Sequence, residues 1–270
     1  MAPLPSLPAA FLRRAAADPE EPWLFHTEGW DWIWHPWKEL AGWLERWRAA
    51  LSSLPPGSRA AFQYDARPES VILDLAIQAA GLVSAPNGGK KDAVWIERRG
   101  LEIEISPSGH LFHDGSGAVV RIGGEDVVWT AAEIVAAGER LQGVIGEAGK
   151  REIVVLGGPL EDPLERSMMA WATLSGAAVV LEPDPALRTA TAAWVRPTVF
   201  HGTPEEIADL RSRAGKARKG RLPFRRLWMV LVSGEISGEE AGGWRERGVK
   251  VFPVGWPSSP QPSSPGLPPT

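Results

Sequence analysis

The stretch "REIVVLGGPLEDPLERSMMAWATLSGAAVVLEPD", residues 151–184, decides the fold class of this chain. Two short apolar runs, REIVVLGG and AAVVLE, flank a segment with the composition of a helix. The alternation continues downstream through PTVF, PEEIADLRSRA, LWMVLVSG, GEEAGGWRERG and VKVFPVG. Short apolar strands separated by helices are typical of a mostly parallel sheet with helices on both faces. We therefore predict an α/β fold.

The first half of the chain predicts more helices and a second type of sheet. In "PWKELAGWLERWRAALSSL", apolar residues recur at helical spacing and form a bulky face, namely Trp37, Leu40, Ala41, Leu44, Trp47 and Leu51. We expect this face to pack in a core, with an aromatic ligand-stacking surface as the alternative. Residues 92–128 alternate β-rich runs with glycine-containing turns, which predicts an antiparallel β meander. Thr130 and Glu133 form a capping box that opens the next helix.

Composition excludes several classes of protein. The net charge of −4 argues against bulk attraction to nucleic acid or anionic membranes, so we expect no nucleic-acid partner. No apolar run reaches the ~18 residues of a membrane span, and the charges near the N-terminus follow its apolar residues, unlike a secretory signal. We therefore expect a cytoplasmic protein without a membrane span. There is no Cys, and His110 and His113, the closest histidine pair, fall short of a metal ligand set, so no metal site is expected.

Three polar stretches are candidates for chemistry. "HDGSGAVVRIGG", residues 113–124, is rich in glycine like a phosphate cradle, but a hairpin turn explains the spacing better. "GPLEDPLER", residues 158–166, places acidic residues in a first helical turn, where capping explains them without catalysis. The basic stretch at residues 211–226 is interpreted as a solvated loop, with a polyanion-binding module as the alternative. No Ser/His/Asp order, nucleophile elbow or dinucleotide fingerprint is present.

Read together, these segments resemble the N-terminal domain of the adenylate-forming (AMP-binding) ligases, and among them the long-chain acyl-CoA synthetases. "GPLEDPLERSMMAWATLSGAAVVLEPD" is similar to the family's P-L-a-H-x-x-E-R segment, and "VRPTVFHGTPEEI" to its x-R-P-T-v-f-x-G-V-P-R segment. "RRLWMVLVSGEISGEEAGGWRERGVKVFPVGW" looks like the segment that leads to the family's Y-G-x-T-E motif. The resemblance implies a domain over residues 1–256, with a possible sub-boundary near residues 88–130. Residues 257–270 are expected to be a disordered Pro/Ser-rich tail.

The resemblance also implies where a site would lie. The family's phosphate loop corresponds to "DGSGAVVRIGG", where a remnant of Gly115, Ser116 and Gly117 survives without the Thr pair and the Lys. The family's His is replaced by Asp162, and the Glu that helps to hold magnesium is replaced within PSSP. The chain ends before the family's ribose-binding Asp and its C-terminal subdomain with the catalytic Lys. The candidate pocket residues implied by the resemblance are Thr198, Phe200, His201, Gly202, Gly234, Glu235, Gly255 and Trp256.

Loss of several charged groups together predicts loss of adenylation, since removal of one preorganised donor commonly costs ~100-fold in rate. We therefore expect a degenerate, catalytically inactive relative with no catalytic residues and no cofactor. It would act as a scaffold for an acyl or adenylate-like small molecule, a protein partner or a homo-oligomer. The alternative is a subunit of an ATP-dependent acid–thiol (acyl-CoA) ligase, completed by a separate C-terminal chain, which would use ATP, magnesium and CoA.

Overall fold

The computed structural model describes residues 6–28, 31–89, 93–106, 115–146, 152–216, 226–233 and 235–254. Helices in these residues are α1 (Leu7–Ala17), α2 (Trp37–Leu51), α3 (Pro68–Ala79), α4 (Ala131–Ile145), α5 (Pro163–Ser175), α6 (Pro185–Val195), α7 (Pro204–Lys216) and α8 (Gly238–Arg245). The strands are β1 (Pro22–Glu28), β2 (Asp31–Pro36), β3 (Arg59–Phe62), β4 (Val83–Pro86), β5 (Val94–Arg99), β6 (Glu102–Ser106), β7 (Gly117–Ile122), β8 (Glu125–Thr130), β9 (Ile153–Leu156), β10 (Ala178–Leu181), β11 (Val199–Gly202), β12 (Met229–Ser233) and β13 (Lys250–Val254).

The larger sheet has seven strands in the order β13-β12-β11-β9-β10-β1-β2. Every pairing in it is parallel except that of β1 with β2, which form an antiparallel hairpin at one edge. The five strands β9 to β13 alternate with α5 to α8 along the chain, as the apolar runs after residue 151 predict. The predicted α/β class with mostly parallel sheets is therefore confirmed.

The second sheet has six strands in the order β6-β5-β3-β4-β7-β8. The antiparallel pairing expected around residues 92–128 is present as two hairpins, β5 with β6 and β7 with β8. These hairpins lie at opposite edges of the sheet, so they do not form one continuous meander. The reason is that β5 pairs in parallel with β3, and β7 in parallel with β4, which places two central strands between the hairpins.

Helices separate and cover the sheets. Helix α3 contacts β1 of the larger sheet and β4 of the smaller one, and α5 contacts β9, β10 and β7, so both helices lie between the sheets. Helices α6, α7 and α8 pack on the outer face of the larger sheet. Side chains of one strand alternate between these layers, as a period of two requires: Val199 joins the inner core and Phe200 the outer one.

Local signals in the sequence place several helix ends. Thr130 accepts a hydrogen bond from the Glu133 N–H, and the Glu133 carboxylate accepts one from the Thr130 N–H, so the predicted capping box is confirmed. Asp162 caps α5 by accepting from the N–H groups of Leu164 and Glu165. The start of α5 is thereby fixed at the end of the segment that follows β9, beyond the carboxyl end of that strand.

The tryptophan-rich helix α2 packs as its periodicity predicts. Its residues Trp37, Leu40, Leu44, Trp47 and Leu51 are buried in the main core. Trp37 stacks on Trp23 of β1 at a ring distance of 4.4 Å. The core interpretation of this face is confirmed. None of the helices in the described ranges is long and apolar enough to cross a membrane.

Candidate functional site

Two polar side chains lie at the carboxyl ends of adjacent strands in the larger sheet. His201 is on β11 and Ser233 is the last residue of β12. His201 pairs in register with Leu231, and Ser233 is two residues further along β12, so both side chains point to the inner face of the sheet. The Nε2 atom of His201 lies 2.6 Å from the Oγ atom of Ser233. This hydrogen bond joins two strands at the edge where parallel sheets commonly carry their sites.

A third residue, Glu165, reaches the same histidine from α5. Its Oε1 atom lies 3.1 Å from Nδ1 of His201, and its side chain is buried. Burial alone would raise the pKa of the Glu165 carboxyl, but the hydrogen bond from His201, the charge of His201 and nearby Arg188 together lower that pKa below its ordinary value. Glu165 is therefore ionised. Because a carboxylate only accepts hydrogen bonds, Nδ1 of His201 carries a proton. Nε2 accepts from the Ser233 hydroxyl when the ring is neutral and donates to it when the ring is cationic.

Glu165, His201 and Ser233 are linked by these contacts and are called the relay below. Arg188 of α6 is the buried cation beside the relay. Its guanidinium lies 3.5 Å from Glu165 and 3.4 Å from Glu206, and donates to the carbonyl oxygen of His201 at 3.1 Å. Glu206 is held in place by a capping box with Thr203 at the start of α7. Glu182, buried directly after β10, accepts from the hydroxyl of Thr191. Three carboxylates and one guanidinium therefore surround His201 at this edge.

The structure divides the candidate pocket residues. His201 and Gly202 lie at the carboxyl end of β11. Thr198 lies at the amino end of the same strand, where its hydroxyl forms hydrogen bonds with the backbone of Ile153. Phe200 is buried in the outer core. Glu235 is exposed after β12. Gly234, Gly255 and Trp256 fall outside the described residues, as does the tail of residues 257–270.

The phosphate-loop remnant belongs to the smaller sheet. Gly117 begins β7, and a Cβ atom there would collide with the carbonyl oxygen of Trp129 on β8. The carbonyl oxygen of Ser116 accepts from the N–H of Ala131, at the start of α4. Gly115 is exposed and has a φ of 91°. Gly117 and Ser116 thus have roles in the junction of β7, β8 and α4, while residues 107–114 lie outside the described part of the chain.

The acidic start of α5 contains more than helix caps. Asp162 is a cap, as predicted, and Glu161 accepts from the side-chain amide of Asn87 at 3.0 Å. Arg166, in contrast, forms a buried ion pair with Asp74 of α3, and Glu165 is committed to the relay. Glu165 thus lies in the first turn of α5, as predicted for the acidic residues, but its carboxylate also contacts a residue distant in sequence.

A separate apolar cavity of about 390 Å³ lies on the outer face near the β1–β2 edge. It is lined by Phe25, Trp32, Trp34, Ile153, Val180, Trp194 and Val195. Three of these side chains are unusually exposed for tryptophan: Trp194 by 79%, Trp34 by 55% and Trp32 by 40%. Large exposed apolar patches commonly mark binding surfaces. The cavity was missed in the sequence, although Trp32 and Trp34 recur at the strand period and point to one face.

Within the described ranges, no group of three or more His, Asp or Glu side chains is placed to hold a metal ion. The His110 and His113 pair lies outside these ranges.

Solved structures with a similar fold come from adenylate-forming enzymes. The N-terminal domain of FACL13 from Mycobacterium tuberculosis, solved with an inhibitor, matches with a TM-score of 0.72 and 12% identity over 92% of this chain and 75% of that chain. O-succinylbenzoate coenzyme A synthetase (MenE) from Bacillus subtilis, in complex with AMP, matches with a TM-score of 0.67 and 16% identity, over 90% and 71% of the respective chains. The nonribosomal peptide synthetase FmoA3, in an AMPPNP-bound form, matches with a TM-score of 0.76 and 17% identity.

This chain has the fold of the N-terminal domain of adenylate-forming ligases. The likeness covers 96% of this chain but 32% of FmoA3, so the chain spans about a third of that synthetase. No protein-family model and no curated protein sequence matches the chain. Identities of 12–17% establish the ligase fold alone, and the activity must be argued from the residues present.

The carboxyl edge of this ligase fold carries the Glu165–His201–Ser233 relay. The guanidinium of Arg188 beside it is shared between two carboxylates and a carbonyl oxygen. Sequence reasoning missed the relay because its members are 36 and 32 residues apart. The available signal was a polar residue at the end of each of two apolar strands, PTVFH and MVLVS.

Proposed function

We propose that this chain is a binding protein on the ligase scaffold, which holds an apolar, acyl-type ligand and does not adenylate carboxylic acids. The ion pairing of Arg188 supports the proposed lack of adenylation. A guanidinium that compensates Glu165 and Glu206 is not available to neutralise phosphates, and separating it from them would leave two carboxylates uncompensated. Breaking a buried ion pair costs about 3–5 kcal/mol, which opposes rearrangement toward a nucleotide.

Electrostatics at the same edge oppose the binding of ATP. The buried side chains of Glu165 and Glu182 add negative charge close to where the strands end. Like charges in a poorly solvated region repel more strongly than in water, because the effective dielectric constant is lower. A triphosphate would therefore meet repulsion at this edge.

The apolar cavity supports the proposed binding of an acyl-type ligand. Its volume of about 390 Å³ is within the range of small-molecule sites, and its lining side chains are aliphatic or aromatic without a charged group. Indole rings bury large areas at a low cost in conformational entropy. An acyl chain packed against Trp32, Trp34 and Trp194 would cover the most exposed apolar surface among the described residues.

Titration calorimetry with dodecanoate tests the binding site. We expect Trp194→Ala to weaken binding about tenfold or more, because one indole provides much of the contact area. Leu187→Ala is the matched control, since Leu187 is on the same helix and 51% exposed but does not line the cavity. Absence of dodecanoate binding, or an equal loss in both variants, would contradict the cavity as the binding site.

Product analysis tests the proposed lack of adenylation. Purified protein is incubated with Mg·ATP and a mixture of straight-chain and aromatic carboxylic acids, and acyl-AMP is sought by mass spectrometry. We expect no acyl-AMP above the level in a protein-free sample. Formation of any acyl-AMP by the wild-type chain would show that it adenylates.

A further inference from the structure

We propose that Ser233 is the nucleophile of an acyl-transfer site that hydrolyses activated carboxylic esters or thioesters. His201 would be its general base, and Glu165 the residue that orients His201. This activity needs no ATP and goes beyond ligand binding in the apolar cavity. It rests on the contacts at the carboxyl edge of β11 and β12.

The distances match the requirements of a Ser–His–carboxylate relay. Serine is a weak nucleophile unless a neighbouring base takes its proton, and such a base must lie about 2.6–3.2 Å from the hydroxyl. Nε2 of His201 lies 2.6 Å from Oγ of Ser233, and Nδ1 lies 3.1 Å from Oε1 of Glu165. The two ring nitrogens therefore contact different side chains, as this relay requires. The same roles recur on unrelated folds in different chain orders.

Burial and position give each residue a suitable environment. Glu165 and His201 are buried, so the imidazole is held between its partners with little access to water. The ionised Glu165 fixes the proton on Nδ1 and stabilises the imidazolium that forms when Nε2 takes a proton. Ser233 is only partly buried at the end of its strand, which leaves its hydroxyl closer to the surface than the other two side chains. In this proposal the substrate carbonyl approaches Oγ from the end of the strand.

The reaction balances with water as the second substrate. Oγ of Ser233 attacks the acyl carbon and its proton passes to Nε2 of His201. The bond from the acyl carbon to the leaving oxygen or sulfur breaks, and His201 returns the proton to the departing alcohol or thiol. Water then attacks the acyl-serine with His201 again as base, which releases the carboxylic acid and restores the Ser233 hydroxyl.

Labelling with an alkyl fluorophosphonate tests the nucleophile directly. An activated serine attacks the phosphorus and expels fluoride, and the modified peptide is located by mass spectrometry. We expect modification of Ser233, loss of that label in Ser233→Ala and at least a 100-fold slower reaction in His201→Gln. Glu165→Gln should also slow labelling and change its pH profile, because the amide no longer fixes the proton on Nδ1. Ser237→Ala is the control, since Ser237 caps α8 and is not part of the relay.

The outcomes separate this site from the apolar cavity. Hydrolysis of p-nitrophenyl acetate above the buffer rate, lost in Ser233→Ala, would support the assignment. An unlabelled Ser233 in wild-type protein with a native circular dichroism spectrum would overturn it, as would equal labelling rates in wild type and His201→Gln. Either of these results would leave dodecanoate binding untouched, because Ile153 and Trp194 of the cavity lie toward the amino ends of the strands.

Discussion

Asp74 and Arg166 form a two-pronged ion pair between α3 and α5, with both nitrogen–oxygen distances at 3.0 Å. Both side chains are almost completely buried, at 3% and 2% exposure. Asp74 also accepts from Gln78 at 2.7 Å and Ser84 at 2.6 Å, and Arg166 donates to the carbonyl oxygen of Leu160. The charges are thus compensated on both sides, which makes the pair a fixed link between two helices that lie between the sheets.

Removal of the arginine should strongly destabilise the protein. In Arg166→Ala, Asp74 remains buried without its counter-charge, and we expect a loss of about 3–5 kcal/mol in the free energy of unfolding. Urea denaturation followed by circular dichroism measures it. Arg48→Ala is the control, because Arg48 pairs with Glu45 on the surface and should contribute less than about 1 kcal/mol. Equal losses in the two variants would be inconsistent with a buried, uncompensated Asp74.

Two glycines of α4 should respond in opposite directions to the same substitution. A Cβ at Gly138 would lie 2.9 Å from the backbone nitrogen of Trp171 on α5, which cannot move aside as a flexible side chain can. We expect Gly138→Ala to destabilise the protein by about 1–3 kcal/mol. Gly143 has open space around it and is exposed, so Gly143→Ala should stabilise by about 0.5 kcal/mol through helix propensity. Thermal unfolding of both variants checks the signs, and a shift in the same direction would contradict the close packing of α4 on α5.

The stability of the protein should fall as the pH drops below about 6.5. Burial, and then the charge of His35 stacked at 5.3 Å, lower the pKa of His26 from 6.5, while Glu28 and Glu69 partly oppose this. The unfolded chain therefore takes up a proton below pH 6.5 that the folded chain refuses, so the free energy of unfolding decreases toward the folded pKa. Denaturation curves give the free energy of unfolding at pH 7.5 and 5.5, and its decrease between them should be smaller for His26→Gln than for wild type. An equal decrease in both proteins would show that His26 has no such effect. As the control, the change between pH 7.5 and 8.5 should be the same in both proteins.

Local sequence patterns predict the elements of this fold better than their arrangement. Apolar runs such as Ile153–Leu156 identify strands, and short-range pairs such as Thr130 and Glu133 identify a helix start, because the interactions lie within a few residues. The order of strands depends on contacts between distant segments, so the positions of the β5–β6 and β7–β8 hairpins at opposite edges could not be read from residues 92–128. The resemblance to the adenylate-forming ligases predicted the architecture because it draws on the order of blocks over the whole chain.

The candidate site was predicted only in part, for the same physical reason. His201 and Gly202 were assigned to a pocket wall, and both lie at the carboxyl edge of the sheet. The partners of His201 were not predicted, because Glu165 reaches it from a helix and Ser233 from a neighbouring strand. Phe200, assigned to the same wall, points into the outer core, since alternate residues of a strand face opposite sides.

Titration calorimetry with Mg·ATP is the most direct test of the claim that the carboxyl edge does not bind a nucleotide. It requires no assumption about the identity of the acid substrate. With Arg188 engaged by Glu165 and Glu206, we predict no heat of binding up to about 1 mM Mg·ATP, which corresponds to a binding free energy weaker than about −4 kcal/mol. Saturable binding in the micromolar range by the wild-type chain would contradict the account.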